Sequence, residues 1–218
     1  MPDSTLILIG FLSDFGDENI LWPLMALISL TLILQGRYRI FLQYSILILL
    51  VFGITLILKL CFEACGRFPG QSLYSPSGHT AGMTFVYGGV AVLFSRSLRM
   101  WLAVAFGVAL LAGCARIVLH VHSFAEVSVG ASVGLLGVLF LILARKNELR
   151  TSSGTAWSKR PIVFLIIGGL VLTIGLHGLR SPAETWLEYF SHQFVAPFMR
   201  CPATQSAFQQ PHHNDTEK

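Results

Sequence analysis

Six long apolar runs, broken only by short polar links, leave this chain few ways to fold. They lie at about 19–35, 40–60, 78–95, 100–119, 123–144 and 161–179. A helix needs about 20 mainly apolar residues to cross a bilayer. Lipid offers the backbone no hydrogen-bond partner, so only helices and closed barrels span it. The runs are long and lack the apolar–polar alternation of barrel strands. The expected fold is therefore all-α: a polytopic membrane protein built as a six-transmembrane-helix bundle. Composition agrees, with 12% charged residues against about 25% in a soluble domain.

One domain is expected at this length. Residues 1–18 read as an N-terminal interfacial segment, because Leu6–Leu12 is too short to cross and lacks the basic flank of a signal peptide. Residues 19–180 form the six-helix domain. Pro23 is expected in the first turn of its helix and Pro161 at the first helical position. Residues 181–218 read as an interfacial helix and a disordered tail. Ser181 and Glu184 make a capping box there, and Trp186, Tyr189, Phe190 and Phe194 follow as aromatic anchors.

The net charge of +4 does not indicate nucleic-acid binding. Nine of the fifteen basic residues sit in three alternate links. Arg37 and Arg39 lie in the first, Arg96 and Arg99 in the second, and Arg145, Lys146, Arg150, Lys159 and Arg160 in the third. The positive-inside rule makes these links cytoplasmic. Both termini, the 59–79 loop and the turn near residue 120 then face outward. The compact form and strong loop bias fit a bacterial inner membrane with a periplasmic site. The four cysteines show no metal-ligand spacing and read as small apolar fillers. A Cys65–Cys201 bridge requires both residues in an oxidising compartment.

Three polar clusters interrupt the apolar sequence on that outer face. Ionisable groups at membrane depth are costly and are functional candidates by default. Lys59 and Arg67 form the first cluster, in KLCFEACGRFP. Pro76-Ser77-Gly78-His79 forms the second, where a helix begins. Ser77 is a natural N-cap, Gly78 lets a ligand approach the backbone, and the helix start attracts anions. A plain helix start would read the same way.

Arg116, His122 and Glu126 form the third cluster. Arg116 either snorkels to the surface or meets a buried anion, for which a planar guanidinium suits phosphate. His122 and Glu126 are four apart, on one face of a helix. A carboxylate on one ring nitrogen leaves the other free to attack. Glu126 also completes a capping box with Ser123, and the two roles are compatible. Arg116 and His122, six apart, need a turn between them near His120–Ser123. His120 reads as a turn residue and His177 as a structural histidine.

Joined, these groups suit phosphoryl transfer without a metal or cofactor. Lys59, Arg67 and Arg116 supply positive charge, and the N–H groups at Ser77 and Gly78 add hydrogen bonds. His122 is the candidate nucleophile and His79 the candidate acid–base.

The sequence here resembles the type 2 phosphatidic acid phosphatase family, related to the vanadium haloperoxidases. That family's pattern is a Lys and an Arg-Pro, then Pro-Ser-Gly-His, then Ser-Arg, five residues, His, three residues, Asp. Pro76-Ser77-Gly78-His79 is intact, Arg116 and His122 keep the spacing, and Glu126 stands for Asp. Three departures stand out. Lys59 and Arg67 are one residue further apart than the pattern, with Phe68 before Pro69; Ala115 replaces Ser; and Glu126 is longer by a methylene. The resemblance spans about 59–134. It implies a six-helix bundle, a compact membrane-only member, and a lipid phosphate or diphosphate substrate. Phosphatidic acid, phosphatidylglycerophosphate and polyprenyl diphosphate types all fit, with the headgroup entering from the outer leaflet. A lipid phosphotransferase using the same site, or a degenerate binding or scaffold protein, are the alternatives.

Overall fold

The computed structural model describes residues 3–64, 73–95, 97–151, 160–176 and 183–199. Arg67, Cys65, Cys201, His177, Arg96, Lys159, the Ser181–Pro182 cap and the tail from 200 lie outside the described residues.

All regular structure among the described residues is helical. The helices are α1 (Asp3–Asp14), α2 (Glu18–Leu34), α3 (Tyr38–Ala64), α4 (Gly78–Phe94), α5 (Leu98–Val118), α6 (Phe124–Thr151) and α7 (Arg160–Leu176). After these come α8 (Ala183–Phe190), a π-helical turn (Ser191–Val195) and α9 (Ala196–Met199). Among the described residues α3, α5 and the 124–146 part of α6 are long and apolar enough to cross a membrane. The pair α1–α2, bent by 43° at its break, makes a fourth candidate. The lateral surface carries exposed aliphatics such as Leu49 (72%) and Leu110 (68%). A coat of this kind suits lipid rather than water. The protein is a helical membrane protein.

Local chemistry sets the helix starts. Asp17 caps α2 by accepting from the Asn19 N–H at 2.9 Å. That start puts Pro23 in the second turn rather than the first, where it cannot donate to the turn before it. Ser77 and Ser97 cap α4 and α5 in the same way, accepting from the backbone N–H three residues on. Arg145 belongs to α6, which continues to Thr151, rather than to a loop, and is 1% exposed.

α4 is the central helix, with twelve of its seventeen residues buried. It packs against α5, α6 and α3. Small residues allow the closest approach. Gly130, Gly134 and Gly137 of α6 face Ser77, Ala81 and Phe85 of α4. A Cβ on Gly134 would stand 2.7 Å from the Ala81 carbonyl oxygen. Backbone contact of this kind is how helices associate where no hydrophobic effect drives them together.

α3 supplies the third wall. Its buried stripe runs Ile40, Tyr44, Leu47, Val51, Thr55, Lys59, Glu63. This is helical spacing, so the stripe that buries aliphatics at one end turns Lys59 inward at the other. The ends of α3 and α5, the starts of α4 and α6, and the α1–α2 turn thus gather at one end of the bundle. The segment 183–199 docks there too, with Ser191 Oγ donating to the Leu60 carbonyl at 3.2 Å.

Candidate active site

Glu126 is the node of this end. One carboxylate oxygen, Oε1, accepts the N–H groups of Tyr74 and Ser75, each at 2.9 Å. The other, Oε2, accepts the Ser123 N–H at 2.8 Å and lies 3.1 Å from His122 Nδ1. Ser123 Oγ accepts the Glu126 N–H at 3.3 Å, which completes the capping box. Capping and histidine orientation therefore coexist on one carboxylate.

His122 reaches Glu126 because the chain reverses after α5. The Val121 and His122 N–H groups both bond the Arg116 carbonyl, at 3.2 and 3.4 Å. His120 takes a φ of 55°, the left-handed conformation that ends many helices. This turn returns His122 toward Arg116. With Nδ1 donating to the carboxylate, Nε2 carries the ring lone pair. The His122 side chain is 7% exposed. Burial pushes its pKa below the ordinary histidine value, the Arg116 charge pushes the same way, and Lys59 adds to it. The Glu126 hydrogen bond opposes this without reversing it. These surroundings thus favour the neutral form of the His122 ring.

Ser77 starts α4 and is fully buried. Its Oγ accepts from the Thr80 N–H at 3.3 Å and from the Thr80 hydroxyl at 3.0 Å. Its own N–H donates to the Glu126 carbonyl at 3.1 Å. Ser77 therefore holds the turn in place, and its N–H is committed to that bond. The Gly78 and His79 N–H groups open the first turn, where no carbonyl of the same helix can reach them. Lys59 runs beside this turn, its Cε 3.6 Å from where a Gly78 Cβ would sit. Lys59, Ser77, Gly78, Arg116, His122 and Glu126 are brought together, while Arg67 lies outside the described residues.

The α1–α2 turn also enters the site, which the sequence did not suggest. Arg116 Nη1 donates to Ser13 Oγ at 3.3 Å, across 103 residues. Buried Gly16 lies against His79 and Met83, and a Cβ there would meet His79 Cδ2 at 3.1 Å. Tyr87 donates its hydroxyl to the Phe15 carbonyl at 3.0 Å and holds the turn down. The polar break Ser13-Asp14-Phe15-Gly16-Asp17 between apolar runs was the available signal. Gly130 was also missed; the spacing of small residues in α6 could have found it. Among the described residues no three His, Cys, Asp or Glu side chains could hold a metal ion together.

The chemistry such an arrangement allows is specific. The His122 ring, the Arg116 and Lys59 cations and the first turn of α4, which carries His79, lie at this one end of the bundle. An anionic tetrahedral group suits that set. Over 185 residues the chain is 31% identical to an "uncharacterized 22.5 kDa protein in cps region" of Klebsiella pneumoniae, covering 81% of this chain and 86% of that protein. No family model matches the chain, and no solved structure matches it.

Proposed function

We propose a function for a chain that belongs to the same family as the 22.5 kDa Klebsiella protein: a membrane lipid phosphatase. It hydrolyses a lipid phosphate or diphosphate monoester through a phospho-histidine intermediate. The observation that carries this reading is the His122–Glu126 pair at 3.1 Å, close to Arg116 and Lys59 and packed against the start of α4. The resemblance to the type 2 phosphatidic acid phosphatases supports it from the sequence side.

In this reading the phosphoryl oxygens lie against Arg116, Lys59 and the Gly78 N–H. His122 Nε2 attacks phosphorus in line, and the ring becomes cationic while Nδ1–H stays on Glu126. His79 protonates the departing lipid oxygen. It then takes a proton from water as that water cleaves the N–P bond. Phosphate and the dephosphorylated lipid leave, and His122 is neutral again.

The six-span topology belongs to the same proposal. α4 and α7, of 17 residues each, sit at the short end of the spanning range of about 17–25. With both counted, the site end faces outward under the positive-inside rule, at the outer side of a bacterial inner membrane. The bacterial source of the relative is consistent with that placement.

The direct test is phosphate release by the purified protein from a panel of lipid phosphates and diphosphates, with His122→Ala as control. Release by the wild type, abolished in the variant, supports the reading. No release from any lipid in the panel overturns it. Adding an acceptor lipid separates water from a second lipid as the group that accepts phosphate.

A further inference from the structure

The geometry points to Ser13 as a phosphate-contacting residue, delivered to the site by the α1–α2 turn; this inference rests on the phosphatase reading. Ser13 is 6% exposed, although it precedes the first long apolar run. Its Oγ accepts from Arg116 Nη1 at 3.3 Å. A serine hydroxyl that accepts one bond still has a proton to give. Beside a guanidinium, the group that takes such a proton best is an anion bound to that same guanidinium.

The turn is built to hold this hydroxyl still. Gly16 presses on His79 and Met83 with no room for a side chain. The Tyr87–Phe15 bond ties the same turn to α4, and Gly16 N–H closes it by donating to the Ser13 carbonyl at 2.9 Å. One short turn thus touches the phosphate-binding arginine and the acid–base histidine. Position 115, next to Arg116, is an alanine and offers no hydroxyl of its own. Ser13 fills that chemical role from a distant part of the chain.

The test uses full-length protein in detergent and inorganic phosphate as probe. Phosphate binding is read by the rise in melting temperature it causes and by its competitive inhibition of lipid phosphate hydrolysis. Ser13→Ala is expected to weaken phosphate binding and raise KM by about tenfold, the low end for a hydrogen bond to a charged group. Ser13→Thr, which keeps the hydroxyl, should stay within about threefold of wild type by the same reasoning. If Ser13→Ala does not fold, Ser13→Cys, of similar size and a poor donor, decides the point. Phosphate binding at wild-type strength in the hydroxyl-free variant overturns the role of Ser13. Because binding is read without turnover, that result is distinct from failure of the phosphatase reading, in which the wild type releases no phosphate.

Discussion

Ser75 donates its N–H to Glu126 across 51 residues at 2.9 Å, onto the carboxylate oxygen opposite the one that faces His122. The same side chain that orients the histidine therefore anchors the loop leading into Pro76-Ser77-Gly78-His79. The start of α4 and the start of α6 are thus tied together by hydrogen bonds. Disturbing Glu126 should consequently show in two measurements at once.

Glu126→Gln replaces one acceptor oxygen by a donor NH2, which must face either backbone N–H groups or His122. It should cost about 10²-fold in turnover through misplacement of the ring and also lower the detergent melting temperature. Glu126→Asp keeps the charge but shortens the arm, so it should retain more activity than the amide while still loosening the Tyr74–Ser75 contact. Turnover and melting temperature both at wild-type values in Glu126→Gln would remove the carboxylate from the mechanism.

The pH dependence follows from the lowered His122 pKa. Attack needs the neutral ring, so the acid limb of kcat/KM should lie below the ordinary histidine value of about 6.5. Arg116 contributes to that shift. Arg116→Gln should therefore move the limb toward higher pH, in addition to weakening phosphate binding. Stability carries the same sign. The unfolded chain binds the proton first as pH falls, so the contribution of neutral His122 is present above about 6.5 and lost on acidification through the folded pKa. A limb that stays in place in Arg116→Gln would separate the arginine from the ring.

Gly130 tests the fit between α6 and α4. A Cβ there would collide with the Ser77 carbonyl oxygen, which belongs to the backbone and cannot swing away. Gly130→Ala should destabilise by about 1–3 kcal/mol, the usual range for overpacking, and should lower activity by shifting the Gly78–His79 turn. Ser128→Ala, which removes only a bond to the Phe124 carbonyl within the same helix, should be close to neutral. Equal melting temperatures for the two variants would mean that the helices part without cost.

Much of this was legible because capping is local. Ser77 and the Ser123–Glu126 box each act on residues three positions on, so these two helix starts could be read from sequence, whereas the Asp17 and Ser97 caps, equally local, were not read. The inward turn of Lys59 also follows from spacing along α3. What stayed hidden depends on which helices meet. Ser13 on Arg116 and Gly16 on His79 join segments with no shared pattern, and Leu6–Leu12 is too short to announce a packed helix. Pairing of Ser77 N–H with the Glu126 carbonyl was hidden for the same reason, so an N–H read as phosphate-facing is committed to the fold. Arg145 shows the limit of counting charges: its position in sequence suggests a link, while α6 runs through it and its side chain is buried.

His79 offers the sharpest separation of roles. If it acts as acid–base rather than nucleophile, His79→Ala should lose about 10²–10⁴-fold on a lipid substrate yet still form phospho-histidine when the leaving group needs no proton. An aryl phosphate with an acidic phenol is such a substrate. Expelled phenolate needs no acid, so the first step should be nearly spared, while breakdown, which needs a base for water, stays slow. Acid-labile, base-stable phosphate should then accumulate on His79→Ala and be absent from His122→Ala. The position of Gly16 adds a positional check. Gly16→Ala intrudes on His79 and Met83 but reaches neither His122 nor Glu126 among its nearest contacts. It should mimic the His79 defect in milder form, with a larger loss on the lipid than on the aryl phosphate. Phosphate trapped on His122→Ala, or equal losses in the rate of the phosphorylation step on both substrates for His79→Ala, would reassign the two histidines.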